Sequence, residues 1–204
     1  TGSPQIGKLI GKICGERLVP CKLELGGKGA ALVTKDADLN AAAEGLAGAI
    51  TLNTGQVCCT ATRWFVHASV QEEFTNLVSA ELKKTTIGAS LDTETQMGPL
   101  VSQTQLERVT DYYQKGIAGG AKAVIELESP STETNKGYYL KPHLLTGDEE
   151  NICYKEEIFG PIMPMKVYSN INQVIDHINQ NDKPLALYLF SKSRKMKKRI
   201  TQST

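Results

Sequence analysis

The sequence predicts an α/β fold in which a mostly parallel sheet with a mixed edge is flanked by helices. Short apolar runs alternate along the chain with longer segments whose apolar residues recur every three or four positions. The first pattern is typical of buried strands and the second of amphipathic helices. Because a helix that connects two strands of one sheet favours parallel pairing, the alternation predicts helices that cover a parallel sheet.

The first helix is predicted to begin at Ser3. Ser3 followed by Pro4 is typical of an N-cap with proline at the first helical position. One apolar face then runs along the helix, formed by Ile6, Leu9, Ile10 and Ile13. We expect Pro20 to end this region.

Two strands and an Ala-rich helix are predicted next. Residues 21–25 and 30–33 are short apolar runs on either side of a double glycine, and each predicts a strand. Asp36 or Asp38 then caps a helix that runs to about Leu52.

The rest of the chain continues the alternation. Helices are predicted to begin with capping boxes at Ser69 and Ser102, and a third covers residues 171–178. Polar residues 129–137 predict an exposed loop, and the basic run 192–199 predicts a solvated helix face. The remaining strands are predicted at residues 63–67, 123–127, 138–144, 161–168 and 185–190.

Length and charge exclude several classes of partner. The chain has 204 residues, of which 22% are charged and 40% apolar, and its net charge is +1. This length can bury a full core in one or two domains, and the near-zero charge provides no positive field to gather the phosphates of a nucleic acid. No apolar run approaches the roughly 20 residues that span a bilayer. We therefore expect neither a nucleic acid nor a membrane as partner.

The cysteines predict reduced thiols and no metal site. There are five, at positions 14, 21, 58, 59 and 153, with no C-x-x-C spacing. An odd number without metal-ligand spacing argues against a disulfide framework and for a reducing compartment. We therefore expect a cytoplasmic location.

Two neighbouring cysteines, Cys58 and Cys59, lie in a polar, Gly-containing loop. A thiol is a useful nucleophile as the thiolate, which requires partial exposure and nearby N–H groups or positive charge. Such a loop can provide these conditions. Taken alone, however, the pair is more typical of two ordinary thiols.

Two further motifs place carboxylates beside glycines. Glu24 interrupts an apolar alternation just before Gly26 and Gly27, which allow close approach of a backbone or a ligand. Glu157 is followed by Phe159 and a Gly-Pro turn. Taken alone, each motif is equally consistent with a strand end or a turn that carries a solvated acid.

Together and in this order, the three motifs closely resemble the aldehyde dehydrogenase superfamily. They are Glu24-Leu-Gly-Gly-Lys28, Gly55-Gln-Val-Cys58 and Glu157-Ile-Phe-Gly-Pro161. Further matches are Thr1-Gly-Ser3 with Gly7, Met97-Gly-Pro99 and Lys183-Pro-Leu-Ala-Leu187, so the resemblance covers nearly the whole chain. Gly29-Ala30 departs from the Ser-Pro or Asn-Pro pair of many members, at positions outside the reactive residues.

The resemblance implies oxidation of an aldehyde to a carboxylic acid with NAD or NADP. Cys58 would be the nucleophile that forms a thiohemiacetal and then a thioester, and Glu24 the base that activates water to hydrolyse it. Cys59 would have no essential role. For the cofactor, Ser3 would lie near the pyrophosphate and Leu25 would touch the nicotinamide through its backbone. The ribose on the nicotinamide side would be bound by Glu157 and packed by Phe159.

The resemblance also implies a domain organisation. Residues 1–20 would be the C-terminal end of a dinucleotide-binding domain, and residues 21–204 most of a catalytic domain that is incomplete at its C-terminus. The earlier half of the dinucleotide domain, an upstream Asn of the oxyanion hole and a segment after Thr204 would be missing. We therefore expect an inactive isolated fragment of a homo-oligomeric enzyme that acts on a small aldehyde.

Two other functions remain open. In the acylating subclass, coenzyme A takes the acyl group from the thioester, but members of that subclass commonly lack the carboxylate found here at Glu24. A non-catalytic scaffold that keeps the fold would be expected to lose Cys58 or Glu24, and both are present.

Overall fold

One mixed sheet organises the chain. The computed structural model describes residues 1–125, 127 and 137–204, in which six strands pair in the order β3-β4-β5-β2-β1-β6. The strands are β1 (Ala30–Val33), β2 (Arg63–His67), β3 (Lys122–Ala123), β4 (His143–Thr146), β5 (Ile162–Tyr168) and β6 (Leu187–Phe190). All neighbours are parallel except β3 and β4, which are antiparallel. The predicted parallel sheet with a mixed edge is therefore confirmed.

Seven α-helices are found among the described residues. They are α1 (Pro4–Glu16), α2 (Leu39–Thr51), α3 (Gln71–Lys83), α4 (Gln103–Ala118), α5 (Ile152–Lys155), α6 (Ile171–Asn179) and α7 (Arg194–Ser203). The N-caps predicted at Ser3 and Ser102 are confirmed, and of the two candidates for α2 the cap is Asp38; each of the three accepts a hydrogen bond from the backbone N–H three residues ahead. These caps satisfy N–H groups that the first turn of a helix leaves without partners.

The sheet is covered on both faces, as its parallel pairing requires. On one face, α2 and α3 pack against Trp64 and Val66 of β2. On the other face, α6 and α7 pack against Phe65 of the same strand. A third apolar cluster joins α4 and α5 to β4 and β5. Successive residues of β2 are therefore buried in different cores, so this central strand is packed on both faces.

The strand predicted at residues 21–25 is wrong. This segment is extended, but its pairing is a single isolated bridge between Leu25 and Gly2. Its alternate apolar side chains pack on α1 instead: a Cβ on Gly7 would lie 2.5 Å from Leu25 Cδ1. An alternating pattern therefore marks one apolar side of a segment without determining what covers that side.

Two other predicted strands are displaced. The strand predicted at 138–144 pairs at His143–Thr146, and that at 123–127 pairs at Lys122–Ala123, followed by a hydrogen bond from Val124 N to Leu144 O. Part of the second prediction, and most of the loop predicted at 129–137, lies outside the described residues.

The capping box predicted at Ser69 is also wrong. The short 3-10 turn Ala68–Val70 precedes α3, and His67 Nδ1 accepts a hydrogen bond from Ser69 N at 3.2 Å. The α3 helix begins two residues later without a side-chain cap. The imidazole of His67 therefore caps the turn in place of the serine hydroxyl.

The predicted apolar face of α1 is present but exposed. Its isoleucines and leucine retain between 37% and 54% of their surface. Within the described ranges, no helix is long and apolar enough to cross a membrane.

Candidate active site

The loop that carries Cys58 follows α2 in an uncommon backbone conformation. Asn53, Thr54 and Gly55 have φ values of 48°, 58° and 71°. Left-handed conformations of residues other than glycine are costly and concentrate at functional sites. Here they turn the chain from the end of α2 toward the Cys58 position.

Gln56 braces this loop from within. Its Nε2 donates to Asn53 O and its Oε1 accepts from Val101 N, both at 3.0 Å. Thr54 Oγ1 also donates to Gly98 O at 2.8 Å. The segment around Gly98 therefore buttresses the cysteine loop, a role that the sequence did not predict for Gln56 or Thr54.

The double glycine is where two other segments meet. Gly27 N donates to Glu157 Oε1 at 3.1 Å, and a Cβ on Gly26 would overlap Glu157 Oε2. A Cβ on Gly27 would lie 2.8 Å from Cys58 O. These glycines were expected to allow another group to come close. Glu157 packs against Gly26, and the cysteine loop packs against Gly27.

Two residues of α4 hold the segment that contains Glu157 and Phe159. Gln105 Nε2 donates to Phe159 O at 2.7 Å, and Arg108 Nη2 donates to Glu157 O at 2.8 Å. Phe159 has a φ of 60°, so these bonds stabilise a strained backbone. Sequence reasoning missed both residues; their three-residue spacing on one helix face was the available signal.

Five of the six residues predicted for the site line one cavity of about 540 Å³. They are Ser3, Leu25, Cys58, Glu157 and Phe159. The thiol of Cys58 is half-buried, whereas Cys59 is exposed and does not line the cavity. An apolar wall, a carboxylate and a thiol therefore converge in a space of the size that small-molecule sites commonly have.

Glu24 is the predicted residue that lies outside this lining. Its side chain retains half of its surface and pairs with Lys22, with 3.2 Å between Glu24 Oε1 and Lys22 Nζ. Its carbonyl accepts a hydrogen bond from Gly2 N at 3.1 Å, which holds the backbone beside Ser3. The main chain of residue 24 therefore reaches the site while its carboxylate points to solvent.

Lys28 ties the Glu24 motif to the Glu157 motif. It is buried, and its Nζ donates to Cys153 O at 2.7 Å, at α5 just before Glu157. Burial lowers the pKa of Lys28 to about 7, and the nearby Arg63 acts in the same direction. The guanidinium of Arg63 donates to Lys28 O at 3.0 Å. Lys28 is part of the Glu24 motif, but the spacing of that motif did not predict its hydrogen bond to Cys153 O.

The lining of the cavity has groups of the kind that bind part of a dinucleotide. The Cβ that Gly26 lacks leaves room for the carboxylate of Glu157, which can accept hydrogen bonds from hydroxyl groups. Leu25 and Phe159 contribute apolar surface, and Ser3 at the start of α1 lies on the same lining. Oxygen acceptors beside an apolar wall suit a ribose joined to an aromatic ring.

Comparison with known proteins identifies the family. The sequence model of the Aldehyde dehydrogenase family matches residues 1–204. The chain belongs to this family. The superfamily resemblance and the α/β fold inferred from the sequence are thereby confirmed.

Relatives in this family are similar over nearly the whole chain. A probable betaine aldehyde dehydrogenase of Schizosaccharomyces pombe is 37% identical over 196 residues, which cover 96% of the chain and 39% of the relative. The human 4-trimethylaminobutyraldehyde dehydrogenase is 35% identical over 196 residues, covering 94% and 40%. The chain spans about two fifths of the length of these relatives.

Solved structures of the family have the same fold. A crystal structure of PnpE in complex with nicotinamide adenine dinucleotide superposes with a TM-score of 0.94 at 29% identity. The match covers 99% of the chain and 42% of that protein.

Proposed function

We propose that this chain carries the reactive residues of an NAD(P)-dependent aldehyde dehydrogenase. The observation that carries the proposal is the shared cavity of Cys58, Leu25, Glu157 and Phe159, which brings a thiol beside a surface suited to a nicotinamide riboside. In this proposal residues 1–20 end a dinucleotide-binding domain and residues 21–204 form most of the catalytic domain. The complete enzyme is a homo-oligomer.

Cys58 is the nucleophile of the proposed reaction. Its sulfur attacks the carbonyl carbon of the aldehyde, and N–H donors stabilise the oxyanion of the resulting thiohemiacetal. NAD or NADP, when bound, would supply the acceptor for the hydride that this carbon must lose. Cys58 is then left as a thioester of the product acid. The braced loop around Gln56 holds the sulfur in place throughout.

Glu24 is the base of the second half-reaction. It removes a proton from the water that attacks the thioester, which releases the acid and regenerates the thiol of Cys58. For this step the carboxylate must leave Lys22 and turn toward the cavity. An ion pair with both side chains in solvent resists such a rotation weakly.

Four residues would hold the cofactor. Glu157 would accept hydrogen bonds from ribose hydroxyls, Phe159 would pack against the ribose and the ring, and the backbone of Leu25 would contact the nicotinamide. Ser3 lies near the pyrophosphate, where the N-terminus of α1 favours negative charge. Gln105 and Arg108 keep Glu157 and Phe159 in position through the backbone.

Pre-steady-state kinetics of Glu24→Gln in the complete enzyme test the proposal. A base that acts on water is needed after hydride transfer, so we expect slow turnover with an intact burst of reduced cofactor. Glu16→Gln is the matched control, since Glu16 also forms an exposed ion pair with a lysine. Loss of the burst together with turnover would show that Glu24 acts before the thioester forms.

The same assay separates the other functions. The aldehydes tested should include betaine aldehyde and 4-trimethylaminobutyraldehyde, after the names of two relatives. Faster formation of an acyl-coenzyme A than of the free acid would favour the acylating reaction. A complete enzyme that binds NAD or NADP but oxidises none of the aldehydes would favour a scaffold.

A further inference from the structure

The chain reverses direction at the end of α1 through a turn that is strained. Val19 N donates to Cys14 O at 2.9 Å and Leu18 N donates to Gly15 O at 3.2 Å. This pair of bonds is the Schellman motif, which usually has glycine at the left-handed position. Here Leu18 has a φ of 53° although 91% of its surface is exposed. The turn directs the following residues back along the helix.

The returning segment packs on a glycine-lined face of α1. A Cβ on Gly7 would lie 2.5 Å from Leu25 Cδ1, and one on Gly11 would lie 3.8 Å from Leu23 Cδ1. Helix positions 7, 11 and 14 share one face, and positions 21, 23 and 25 share one side of an extended segment. The same register therefore sets Cys21 opposite Cys14.

The side chains agree with this register. The Cys14 thiol has the Cys21 side chain as a neighbour, and both cysteines are free. Cys14 is half-buried and Cys21 is exposed. Burial and, to a smaller extent, the neighbouring Cys21 raise the pKa of Cys14. A dissolved oxidant therefore reaches Cys21 before Cys14. Cys14 is then close enough to attack the oxidised sulfur of Cys21.

We propose that Cys14 and Cys21 are a reversible redox pair that joins α1 to the segment carrying Glu24 and Leu25. The oxidant is a peroxide. The Cys21 thiolate attacks one oxygen of hydrogen peroxide, which gives a sulfenic acid and hydroxide. The Cys14 thiol then attacks the sulfenic sulfur, forms the disulfide and releases water. Overall two thiols lose two hydrogen atoms and one peroxide becomes two waters; a dithiol reverses the change by exchange.

The disulfide would restrain a segment that has few other bonds. Residues 21–25 belong to no strand, and their backbone contact with residue 2 is a single bridge. A covalent link at residue 21 would hold the segment against the helix. Any effect of this restraint on Glu24 during catalysis rests on the proposed function, whereas formation of the disulfide does not.

Peptide mapping of the 204-residue chain tests the disulfide. Trypsin cleaves after Lys12, Arg17 and Lys22, so the two thiols fall in separate peptides, 13–17 and 18–22. After peroxide treatment and alkylation with iodoacetamide, we expect these peptides as a linked pair. Labelling of both cysteines should fall about tenfold and return after a dithiol. Cys21→Ser should abolish the linked pair, and Cys59→Ser, which removes an exposed thiol elsewhere, should leave it unchanged.

Two further measurements separate this proposal from ordinary oxidation. In urea the linked pair should form at least about tenfold more slowly, because the turn that aligns the thiols is lost. Amide exchange at residues 22–25 should slow about tenfold on oxidation of the folded chain and remain unchanged in Cys21→Ser. Equal rates in urea, a predominant Cys58–Cys59 or intermolecular disulfide, or unchanged exchange would each overturn the proposal.

Discussion

The carboxylate of Glu157 occupies the space that a side chain at Gly26 would fill. One carboxylate oxygen accepts a hydrogen bond from Gly27 N at 3.1 Å, and the other would overlap a Cβ on residue 26. This hydrogen bond joins residues 130 positions apart, and the carboxylate fits there because residue 26 is glycine. This contact sets where the carboxylate stands in the cavity.

We expect Gly26→Ala to weaken NAD binding by the complete enzyme at least about tenfold. The new methyl group would displace Glu157 from Gly27 N, and loss of the hydrogen bond from its carboxylate to a ribose hydroxyl would cost about 1.5–3 kcal/mol of binding free energy. Titration calorimetry measures the affinity. Gly48→Ala is the control, because a Cβ there meets nothing within 4 Å. It should leave affinity unchanged and stabilise α2 by about 0.5–1 kcal/mol. Equal affinity in both variants would show that Glu157 does not contact the cofactor.

Cys58 is expected to react fastest with iodoacetamide at pH 7 among the thiols of the folded, reduced chain. It is half-buried on the cavity lining, where a small reagent can reach it, whereas Cys153 is fully buried. Peptide mass spectrometry at short times gives the order of labelling, and Cys59→Ala controls for the adjacent thiol. Earlier labelling of Cys14, Cys21 or Cys153 would contradict the assignment of the nucleophile.

Lys22→Met should leave thioester hydrolysis unchanged or increase it by up to about fivefold. The Lys22–Glu24 pair is exposed, with 86% and 50% of the two side chains in solvent, and such pairs contribute about 0.2–1 kcal/mol. Removing the lysine releases the carboxylate for its inward rotation. Single-turnover decay of the acyl-enzyme measures the rate. A decrease of more than about tenfold would assign Lys22 a direct part in the reaction.

Acid should destabilise the chain through His143. Burial lowers the pKa of this imidazole to about 4, and Lys141 acts in the same direction. An unfolded histidine has a pKa of about 6.5, so between these pH values the unfolded state binds a proton that the folded state excludes. The free energy of unfolding should therefore fall as pH decreases from about 6.5 to about 4, by about 3 kcal/mol for this group.

His143→Phe should remove this part of the pH dependence. Phenylalanine keeps a ring beside Tyr113, whose centroid lies 4.4 Å from that of the imidazole. Urea unfolding of both proteins at pH 7, 5 and 4 gives the comparison, and groups such as His177 contribute equally to each. Parallel curves for the two proteins would mean that His143 is protonated in the folded state.

Local features were predictable from the sequence because each depends on a few neighbouring residues. The caps at Ser3, Asp38 and Ser102 require a side-chain oxygen near free N–H groups of the same helix. The alternation of β2 required only that both faces of a central strand be buried. The ordered motifs at Glu24, Cys58 and Glu157 were sufficient to indicate the family.

Tertiary structure decided what those features contact. The segment 21–25 has the alternation of a strand, yet it packs on α1 because glycines on that helix admit its leucines. The carboxylate of Glu24 points to Lys22, although its motif predicted a base at the site. The side chain of Gln105 donates a hydrogen bond to the carbonyl of Phe159, whereas its spacing from Ser102 predicted a capping box.

The sequence by itself therefore determined the fold class, the helix caps at Ser3, Asp38 and Ser102, and which residues are reactive candidates. The tertiary structure decided how those candidates are held: Glu157 over Gly26, the loop of Cys58 against Gly27, and Lys28 on the carbonyl of Cys153. The physical reason is distance along the chain. A hydrogen bond between residues more than a hundred positions apart depends on how helices and strands pack, and no local pattern encodes that packing.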